Sequence, residues 1–579
     1  MNLSKYSICL VGLCLMSLSV CCQEATRFTG NVSIPYDECI ASYADLAASS
    51  DDAFLLEIGK TDIGKPLHLF IINRGGDVLP GSFPDDKAVI LINNGIHPGE
   101  PCGIDASLRL AGDLLSGKPE FDDILESTVI CIIPIYNVGG SLNRGCCSRA
   151  NQNGPEQYGF RGNAKNLDLN RDFIKADSEN AKSFSKIFQL VKPHLFLDTH
   201  TSNGSDYQYV MTMINTQPDK AHQRIGDFIL KKVNPFIYES MENKGWGMVP
   251  YVHTMGRTPE QGIMDFLETP RYSTGYTALF NTIGFTSETH MFKPFADRVE
   301  STYQFELTLL QFAQENSKDL LKVRAKANEE ISAQKQFALQ WELDTTSWKE
   351  IQFLGYEPEY SISEVTGQER LSYNREKPKT ISIKHYDKYL PKVVVEKPDY
   401  YIIPQGWSDV IERLRINGVK MLPIVEDRVI EVEAYHITDF DSKTKPYEGH
   451  YLHDNVEVEK VVESIQFYRG DIIIPTNQPT NKFIVEMLEP QGVDSYFAWN
   501  FFDSILQQKE WFSDYIFEEE AEYMLSKNPE MRAEFEAKKN AEPQFSQNHW
   551  WMLYWLYQRS EHFENSFNRF PVYRYNGKI

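Results

Sequence analysis

Two residues with metal-binding side chains, His97 and Glu100, lie in a turn soon after the apolar run Ala88–Asn93. Imidazole and carboxylate groups are ordinary zinc ligands, and a catalytic zinc site combines three protein ligands with one water molecule. A histidine and a glutamate three residues apart in a tight turn are able to face the same cation. Chance matches to so short a pattern are common, so the metal-site hypothesis needs a third ligand.

His200 is the candidate for that third ligand. It follows the apolar run Leu195–Leu197, and Asp198 or a nearby carbonyl is suited to hydrogen-bond the ring and orient it. The alternative is a structural histidine that is hydrogen-bonded at the end of a strand. Together with the first pair, this residue completes a set of three zinc ligands.

Glu288 lies in the segment Thr286–His290, after a further apolar run. A metal ion lowers the pKa of a bound water, so a carboxylate beside that water can take its proton and pass it to a leaving amine. Glu288 suits this general-base role. The alternative is a carboxylate that forms an ion pair at the end of a strand.

The stretch from Asn137 to Arg171 is rich in arginine and amide side chains, including Arg144, Arg149 and Arg161. Guanidinium groups bind carboxylates through two parallel hydrogen bonds. An arginine can also stabilise the oxyanion of a tetrahedral intermediate. Four arginines in a loop are most often solvated charges, so the functional interpretation of this stretch depends on the other clusters.

Apolar runs alternate with helical patterns through the first half of the chain. Strands are predicted over Ala88–Asn93, Thr128–Tyr136, His194–Asp198 and Thr282–Ser287, and helices over Asp105–Leu115, Ser183–Val191, Ala221–Val233 and Arg298–Asn316. Continuous apolar strands between helices indicate a mostly parallel sheet with both faces covered. In such sheets ligands bind outside the carboxyl ends of the strands, so the polar clusters are predicted to converge there.

The ordered set of these residues resembles the zinc carboxypeptidases of the carboxypeptidase A/B type. That family carries a His-x-x-Glu pair, an Asn-Arg pair, a third histidine and a catalytic glutamate, in that order. The corresponding residues here are His97 and Glu100, Asn170 and Arg171, His200, and Glu288. The resemblance spans about residues 40 to 320. It implies an α/β fold with a mostly parallel or mixed eight-stranded sheet flanked by helices.

The resemblance also implies a role for each matching residue. One Zn²⁺ per chain is held by His97, Glu100 and His200, and Glu288 is the general base and later the acid. The Asn170 and Arg171 side chains bind the terminal carboxylate of a peptide substrate, within the family-like segment Leu167–Asp172. Some bacterial members show Arg-x-Asn seven residues before the Asp-Leu-Asn-Arg sequence. Arg161 fits that spacing as the oxyanion group, and Arg149 is a competing match.

Two departures from the family pattern concern the substrate pocket. Where the family usually shows Asn-Pro-Asp-Gly, this chain has Asn137-Val138-Gly139-Gly140. The substrate-capping tyrosine has no clean match, and Tyr272 and Tyr276 are the candidates. A remodelled side-chain pocket is therefore expected, so the substrate preference of the family does not transfer.

Charge and the N-terminus bear on partners and localisation. The formal net charge of −23 argues against nucleic acid as a partner. Residues 1–22 resemble a signal peptide. Their apolar stretch, Tyr6–Cys22, is too short for a comfortable membrane span, so no transmembrane segment is predicted. Cleavage near Cys22 would release a periplasmic or secreted protein. Lipid attachment at Cys21 or Cys22 is the alternative, because Leu18–Cys21 resembles a lipobox.

The chain is predicted to have a catalytic domain over residues 23–330 and a second, mixed β-rich α+β region over residues 331–579, to which no chemistry is assigned. The predicted function is hydrolysis of a peptide bond next to a free C-terminal carboxylate. One alternative is an amidase or a peptidase of D-amino-acid or cell-wall peptides that uses the same zinc site. Another is a catalytically weak binding protein at the cell surface.

Overall fold

The computed structural model describes residues 30–76 and 81–577. The predicted signal peptide and its two candidate lipid-attachment cysteines, Cys21 and Cys22, lie outside the described residues. Among the described residues, no helix combines the length and the apolar character that crossing a membrane requires.

The first half of the chain contains ten strands and nine α-helices within the described residues. The strands are β1 Ala53–Lys60, β2 Pro66–Ile72, β3 Ala88–Asn93, β4 Thr128–Ile133, β5 Leu195–Ser202, β6 Met211–Asn215, β7 Val249–Pro250, β8 His253–Thr254, β9 Ile263–Met264 and β10 Ile283–His290. The helices are α1 Tyr36–Ser49, α2 Cys102–Leu114, α3 Asp122–Ser127, α4 Val138–Leu142, α5 Glu179–Val191, α6 Gln223–Phe228, α7 Asn234–Asn243, α8 Ser273–Ala278 and α9 Phe295–Ala333. Short 3₁₀ helices lie at Pro119–Phe121, Leu169–Arg171 and Pro259–Gln261, and a π-helical turn lies at Ile229–Val233.

Eight of these strands form one mixed sheet in the order β1-β2-β4-β3-β5-β10-β6-β7. The central strands β4, β3, β5 and β10 are parallel to one another. The pairs β1–β2, β2–β4 and β10–β6 are antiparallel, and β6 pairs parallel with β7. Strands β3 and β4 are buried along their whole length, as continuous apolar runs require when both faces of a sheet are covered. The predicted α/β fold with a mixed eight-stranded sheet flanked by helices is confirmed.

The second half of the chain is β-rich and carries a helical segment near its end. Its strands are β11 Gln336–Leu343, β12 Lys349–Ile362, β13 Glu369–Tyr386, β14 Tyr389–Glu396, β15 Tyr400–Ile403, β16 Leu422–Pro423, β17 Arg428–Ser442, β18 His453–Phe467, β19 Ile472–Pro475 and β20 Tyr573–Tyr575. Its helices are α10 Ser408–Ile416, α11 Asn481–Leu488, α12 Asp514–Lys527, α13 Pro529–Ala541, α14 Pro543–Ser546 and α15 His549–Tyr557, with a 3₁₀ turn at Asp503–Leu506. The predicted mixed, β-rich character of this region is confirmed.

The two halves share one hydrophobic core. A single cluster of buried side chains joins sheet residues such as Leu91 and Phe196 to Tyr401, Phe483 and Phe570 of the second half. This packing buries apolar surface from residues on both sides of position 330, and burial of that kind is the main favourable contribution to folding. The second half therefore packs directly against the sheet that carries the polar clusters.

Candidate metal centre and substrate cavity

The three candidate ligands meet at the carboxyl edge of the central sheet. His200 lies on β5 directly opposite Glu288 of the parallel neighbour β10, and His97 and Glu100 lie in the turn between β3 and helix α2. Potential ligand atoms of His97, Glu100 and His200 all lie within 4.8 Å of one another. Each of the three residues is at most 3% exposed. The structure thus brings together three side chains separated by up to 103 positions in the sequence.

The donor set fits a zinc ion. The Nδ1 atom of His97 is buried without a hydrogen-bond partner, 3.3 Å from Glu100 Oε1. The Nδ1 atom of His200 lies 3.1 Å from Glu100 Oε2. Two imidazole nitrogens and one carboxylate facing a common point match the ligand number and type of catalytic zinc sites. A buried, unpaired ring nitrogen is costly unless a metal or a donor satisfies it.

Two aspartates contact the imidazole Nε2 atoms, the ring nitrogens that do not face Glu100. Asp168 Oδ1 lies 2.9 Å from His97 Nε2, and Asp198 Oδ2 lies 3.0 Å from His200 Nε2. Carboxylates in this position fix the orientation of a metal-binding histidine and raise its basicity. Asn93 donates to the other Asp198 oxygen at 3.1 Å and so holds that carboxylate in place.

Glu100 is ionised despite its burial. Burial raises its pKa, but Arg149 and His97 outweigh this effect and hold the pKa of Glu100 well below its usual value. Arg149 Nη1 donates to Glu100 Oε1 at 2.6 Å, and its Nη2 donates to the Thr201 carbonyl at 2.8 Å. An ionised carboxylate is the form that binds a metal.

Glu288 faces the same cavity from β10. The cavity measures about 290 Å³, and its lining includes the three candidate ligands, Glu288, Arg149, Arg161, Asn170, Arg171 and Tyr272. Burial raises the pKa of Glu288 to about 8, against the opposing influence of His200. A carboxylate whose pKa lies in this range can accept or release a proton near neutral pH, as a general base and acid must.

Asn170 and Arg171 line the cavity from a 3₁₀ helix that Asp168 caps. The Asp168 side chain accepts from the Asn170 amide at 2.9 Å. Arg171 stacks over Tyr272 with 4.4 Å between its guanidinium carbon and the ring centroid. The Asp168 side chain therefore orients the His97 ring and also fixes the 3₁₀ helix that carries Asn170 and Arg171.

The two candidate oxyanion arginines occupy different positions. Arg149 is 17% exposed at its side chain and its guanidinium is held by Glu100, Thr201 and Gln152. Arg161 is 44% exposed and donates to Asp168, with its Nη1 3.5 Å from Glu100. Both line the cavity, and Arg161 is the more accessible of the two.

Residues 40–233 match the family model described as zinc carboxypeptidase. This match contains the three candidate ligands and the Asn170-Arg171 pair and ends before Glu288. Residues 40–233 are thus a zinc carboxypeptidase segment within the chain. This match and the carboxypeptidase relatives support a zinc metallocarboxypeptidase, a hydrolase that acts on peptide bonds.

Similar proteins include carboxypeptidase 2 of Trichophyton rubrum, which is 22% identical over 432 residues, covering 71% of this chain and 73% of the relative. Carboxypeptidase 2 of Trichophyton equinum has the same identity and the same coverage. Among solved structures, a metallo-carboxypeptidase from Burkholderia cenocepacia is 17% identical with a TM-score of 0.36, covering 48% of this chain and 70% of that chain.

The two candidate tyrosines are separated by the start of helix α8. Tyr272 precedes the helix in extended conformation and lines the cavity. Tyr276 lies within the helix, is fully buried among Phe173, Phe184 and other aromatic rings, and does not line the cavity. Every residue of this six-residue helix is buried, so its one tyrosine is directed into the core rather than towards substrate.

Tyr276→Phe is expected to lower the free energy of unfolding by about 1–3 kcal/mol, because the buried Asn417 carbonyl loses its donor. The Tyr276 hydroxyl donates to Asn417 Oδ1 at 2.6 Å. Denaturant melts of the variant and the wild type measure the change. Turnover of a peptide substrate at 25 °C should stay within about twofold, since the ring remains packed. A clear rise in KM would instead place Tyr276 in substrate binding.

Several cavity residues were not identified from the sequence. Tyr251, Phe266 and Glu268 line the cavity, and Glu268 is buried, where its carboxylate accepts from the Thr274 amide at 2.9 Å. Burial raises the pKa of Glu268. Each of these three residues lies outside the strands and helices of the structure, so no periodicity in the sequence points to them.

Proposed function

We propose that this enzyme removes residues from peptides with a free C-terminal carboxylate, using one zinc ion held by His97, Glu100 and His200. The supporting observation is the arrangement around one cavity, where the three ligands, the Glu288 carboxylate and the Arg171 guanidinium all face the same space. A metal ion that polarises water and a cation that binds a substrate carboxylate are the two requirements of an exopeptidase site.

The protein groups divide the chemistry between them. When bound, zinc lowers the pKa of water and polarises the scissile carbonyl. Glu288 takes the proton of the attacking water and later delivers it to the leaving amine nitrogen. We assign to the Arg161 guanidinium the stabilisation of negative charge on the carbonyl oxygen. Arg149 donates to Glu100 at 2.6 Å and is assigned the role of holding that ligand.

Arg171 and Asn170 are proposed to bind the terminal carboxylate. A guanidinium presents paired N–H groups that match the two oxygens of a carboxylate. Two of the nitrogens of Arg171 already donate to protein acceptors, Tyr447 and the Asn170 carbonyl, which fixes the plane of the group. A substrate bound at this point has its scissile bond one residue away, so a single amino acid would be released.

The enzyme is expected to hydrolyse an N-blocked dipeptide with a free carboxylate about 10- to 100-fold more efficiently than its C-terminal amide. The difference reflects the charge-assisted hydrogen bonds that the amide cannot make, worth about 1.5–3 kcal/mol. Steady-state kcat/KM values for both compounds, with zinc supplied, measure the preference.

Arg171→Ala is the matched control, because it should lose most of this preference while Asn170 remains. Equal rates on acid and amide with the wild type would contradict the proposal. Faster hydrolysis of the amide would favour the amidase alternative on the same zinc site. Cell-wall peptides containing D-amino acids belong in the same comparison.

The division into a signal peptide at residues 1–22, a catalytic domain at 23–330 and a second region at 331–579 is part of this proposal. So is an extracytoplasmic location, periplasmic or secreted, with lipid attachment at Cys21 or Cys22 as the alternative to simple cleavage. Mass spectrometry of the mature N-terminus, made in the native host, distinguishes these two outcomes.

A further inference from the structure

A turn from the second half of the chain contacts the proposed carboxylate-binding site. Strands β17 and β18 form a long antiparallel hairpin, and residues 443–452 at its end, here called the hairpin tip, reach the 3₁₀ helix at Leu169–Arg171. The Arg171 Nε atom donates to the Tyr447 hydroxyl at 3.0 Å. The Asp168 amide donates to a Glu448 carboxylate oxygen at 2.7 Å.

The hairpin tip has a defined backbone conformation. Tyr447 and His450 exchange two backbone hydrogen bonds, of 2.7 and 3.0 Å, around Glu448 and Gly449. Both central residues have positive φ, +50° and +84°, as the tight turns of twisted hairpins require. Glycine at the second of these positions avoids the steric cost of a side chain there. The turn therefore holds the two contacting side chains in fixed directions.

The Tyr447 ring also packs against Trp499 and Arg271. It stacks on Trp499 with ring centroids 6.1 Å apart and 20° between the planes, and Trp499 is fully buried. The Arg271 guanidinium lies over both rings, at 5.6 and 5.0 Å, and pairs with the buried Asp494. Because its ring cannot easily turn, the tyrosine presents its hydroxyl to Arg171 as a fixed acceptor.

A second contact ties the hairpin tip to the same segment of the catalytic half. His450 Nε2 lies 2.7 Å from an Asp177 carboxylate oxygen, six residues beyond Arg171. The buried Lys175 amine also contacts Asp177, at 2.9 Å. The hairpin tip is thus bound on both sides of Arg171, and its position relative to that residue is well determined.

We propose that Tyr447 is a positioning residue that orients Arg171 for the substrate carboxylate, so that the second half of the chain completes the substrate site. The inference rests on the proposed carboxypeptidase function. The hydroxyl binds Arg171 Nε, and the Asn170 carbonyl accepts from Nη1 at 2.8 Å. With Nε and one Nη1 hydrogen engaged in this way, the substrate carboxylate is proposed to accept from the second Nη1 hydrogen and from Nη2.

The test is Tyr447→Phe in the full-length, zinc-loaded enzyme, with the N-blocked dipeptide acid as substrate. The substitution keeps the ring that stacks on Trp499 and removes only the hydroxyl. We expect KM to rise about three- to tenfold, with kcat within about twofold, because one hydrogen bond to a charged group is lost. Tyr451→Phe is the matched control: this tyrosine lies in the same tip, is 52% exposed, and its variant should behave as the wild type.

A double-mutant cycle separates positioning from a general loss of stability. If Tyr447 acts through Arg171, Tyr447→Phe has no further effect on kcat/KM in an Arg171→Ala background. An unchanged KM in the single variant, or the same fold-change in both backgrounds, overturns the inference while leaving the proposed function intact. Absence of turnover by the zinc-loaded wild type overturns the proposed function and this inference with it.

Discussion

Glu288→Gln is expected to lower kcat by about 10²–10⁴-fold, the usual contribution of a general acid and base, while the enzyme keeps its zinc. Glutamine has nearly the same shape and fills the same place on β10, opposite His200. It cannot accept the proton of the attacking water or return it to the leaving amine. The kcat value is measured with the N-blocked dipeptide acid as substrate. Retention of zinc is measured by elemental analysis of the variant.

The matched control is Glu268→Gln, a second buried carboxylate that lines the same cavity. It makes the same chemical change without touching the group proposed to move the proton. We expect kcat of this control to fall by less than about tenfold, since no proton transfer is lost. Near-normal turnover by zinc-bound Glu288→Gln would show that another group is the base.

His97→Ala is expected to reduce bound zinc from about one per chain to less than about a tenth, because catalytic sites need three protein ligands. The remaining pair, Glu100 and His200, would hold the ion weakly, and turnover should fall in parallel. Elemental analysis of dialysed protein, wild type and variant side by side, gives the stoichiometry directly.

His194→Ala is a suitable control for this second experiment. His194 lies just before β5, at the opposite end from His200, and its Nδ1 accepts from the Val89 amide at 3.1 Å. Its loss should leave the zinc content unchanged. If the wild type took up no zinc even when zinc was offered, the metallopeptidase proposal would be wrong and the alternative of a binding protein would be favoured.

The candidate zinc ligands and the candidate general base could be predicted from the sequence because each lies in or just after an apolar run that marks a strand. Glu288 and His200 belong to strands whose apolar runs are visible, and His97 and Glu100 lie in the turn that follows such a run. Parallel strands bring their carboxyl ends to one edge, so placing each residue on its strand was enough to predict that they meet.

Other features depended on contacts that no periodicity encodes. Sequence spacing left Tyr272 and Tyr276 as equal candidates, and only the packing of helix α8 directs one to the cavity and the other to the core. The charged pattern of residues 324–348 predicts a single helix, whereas the structure divides this stretch into the end of α9 and strand β11. Here the shared core with the second half selects the strand, as tertiary packing often overrides local propensity.

The sequence by itself determined a zinc carboxypeptidase-like catalytic half, because metal ligands and a general base must be particular residue types close to strand ends. Only the tertiary structure determined which residues of the second half contact the proposed substrate site. Tyr447 meets Arg171 across 276 positions, and Glu448 meets Asp168 across 280. Such contacts follow from how two regions bury a common core, and that packing is a property of the whole fold rather than of any segment.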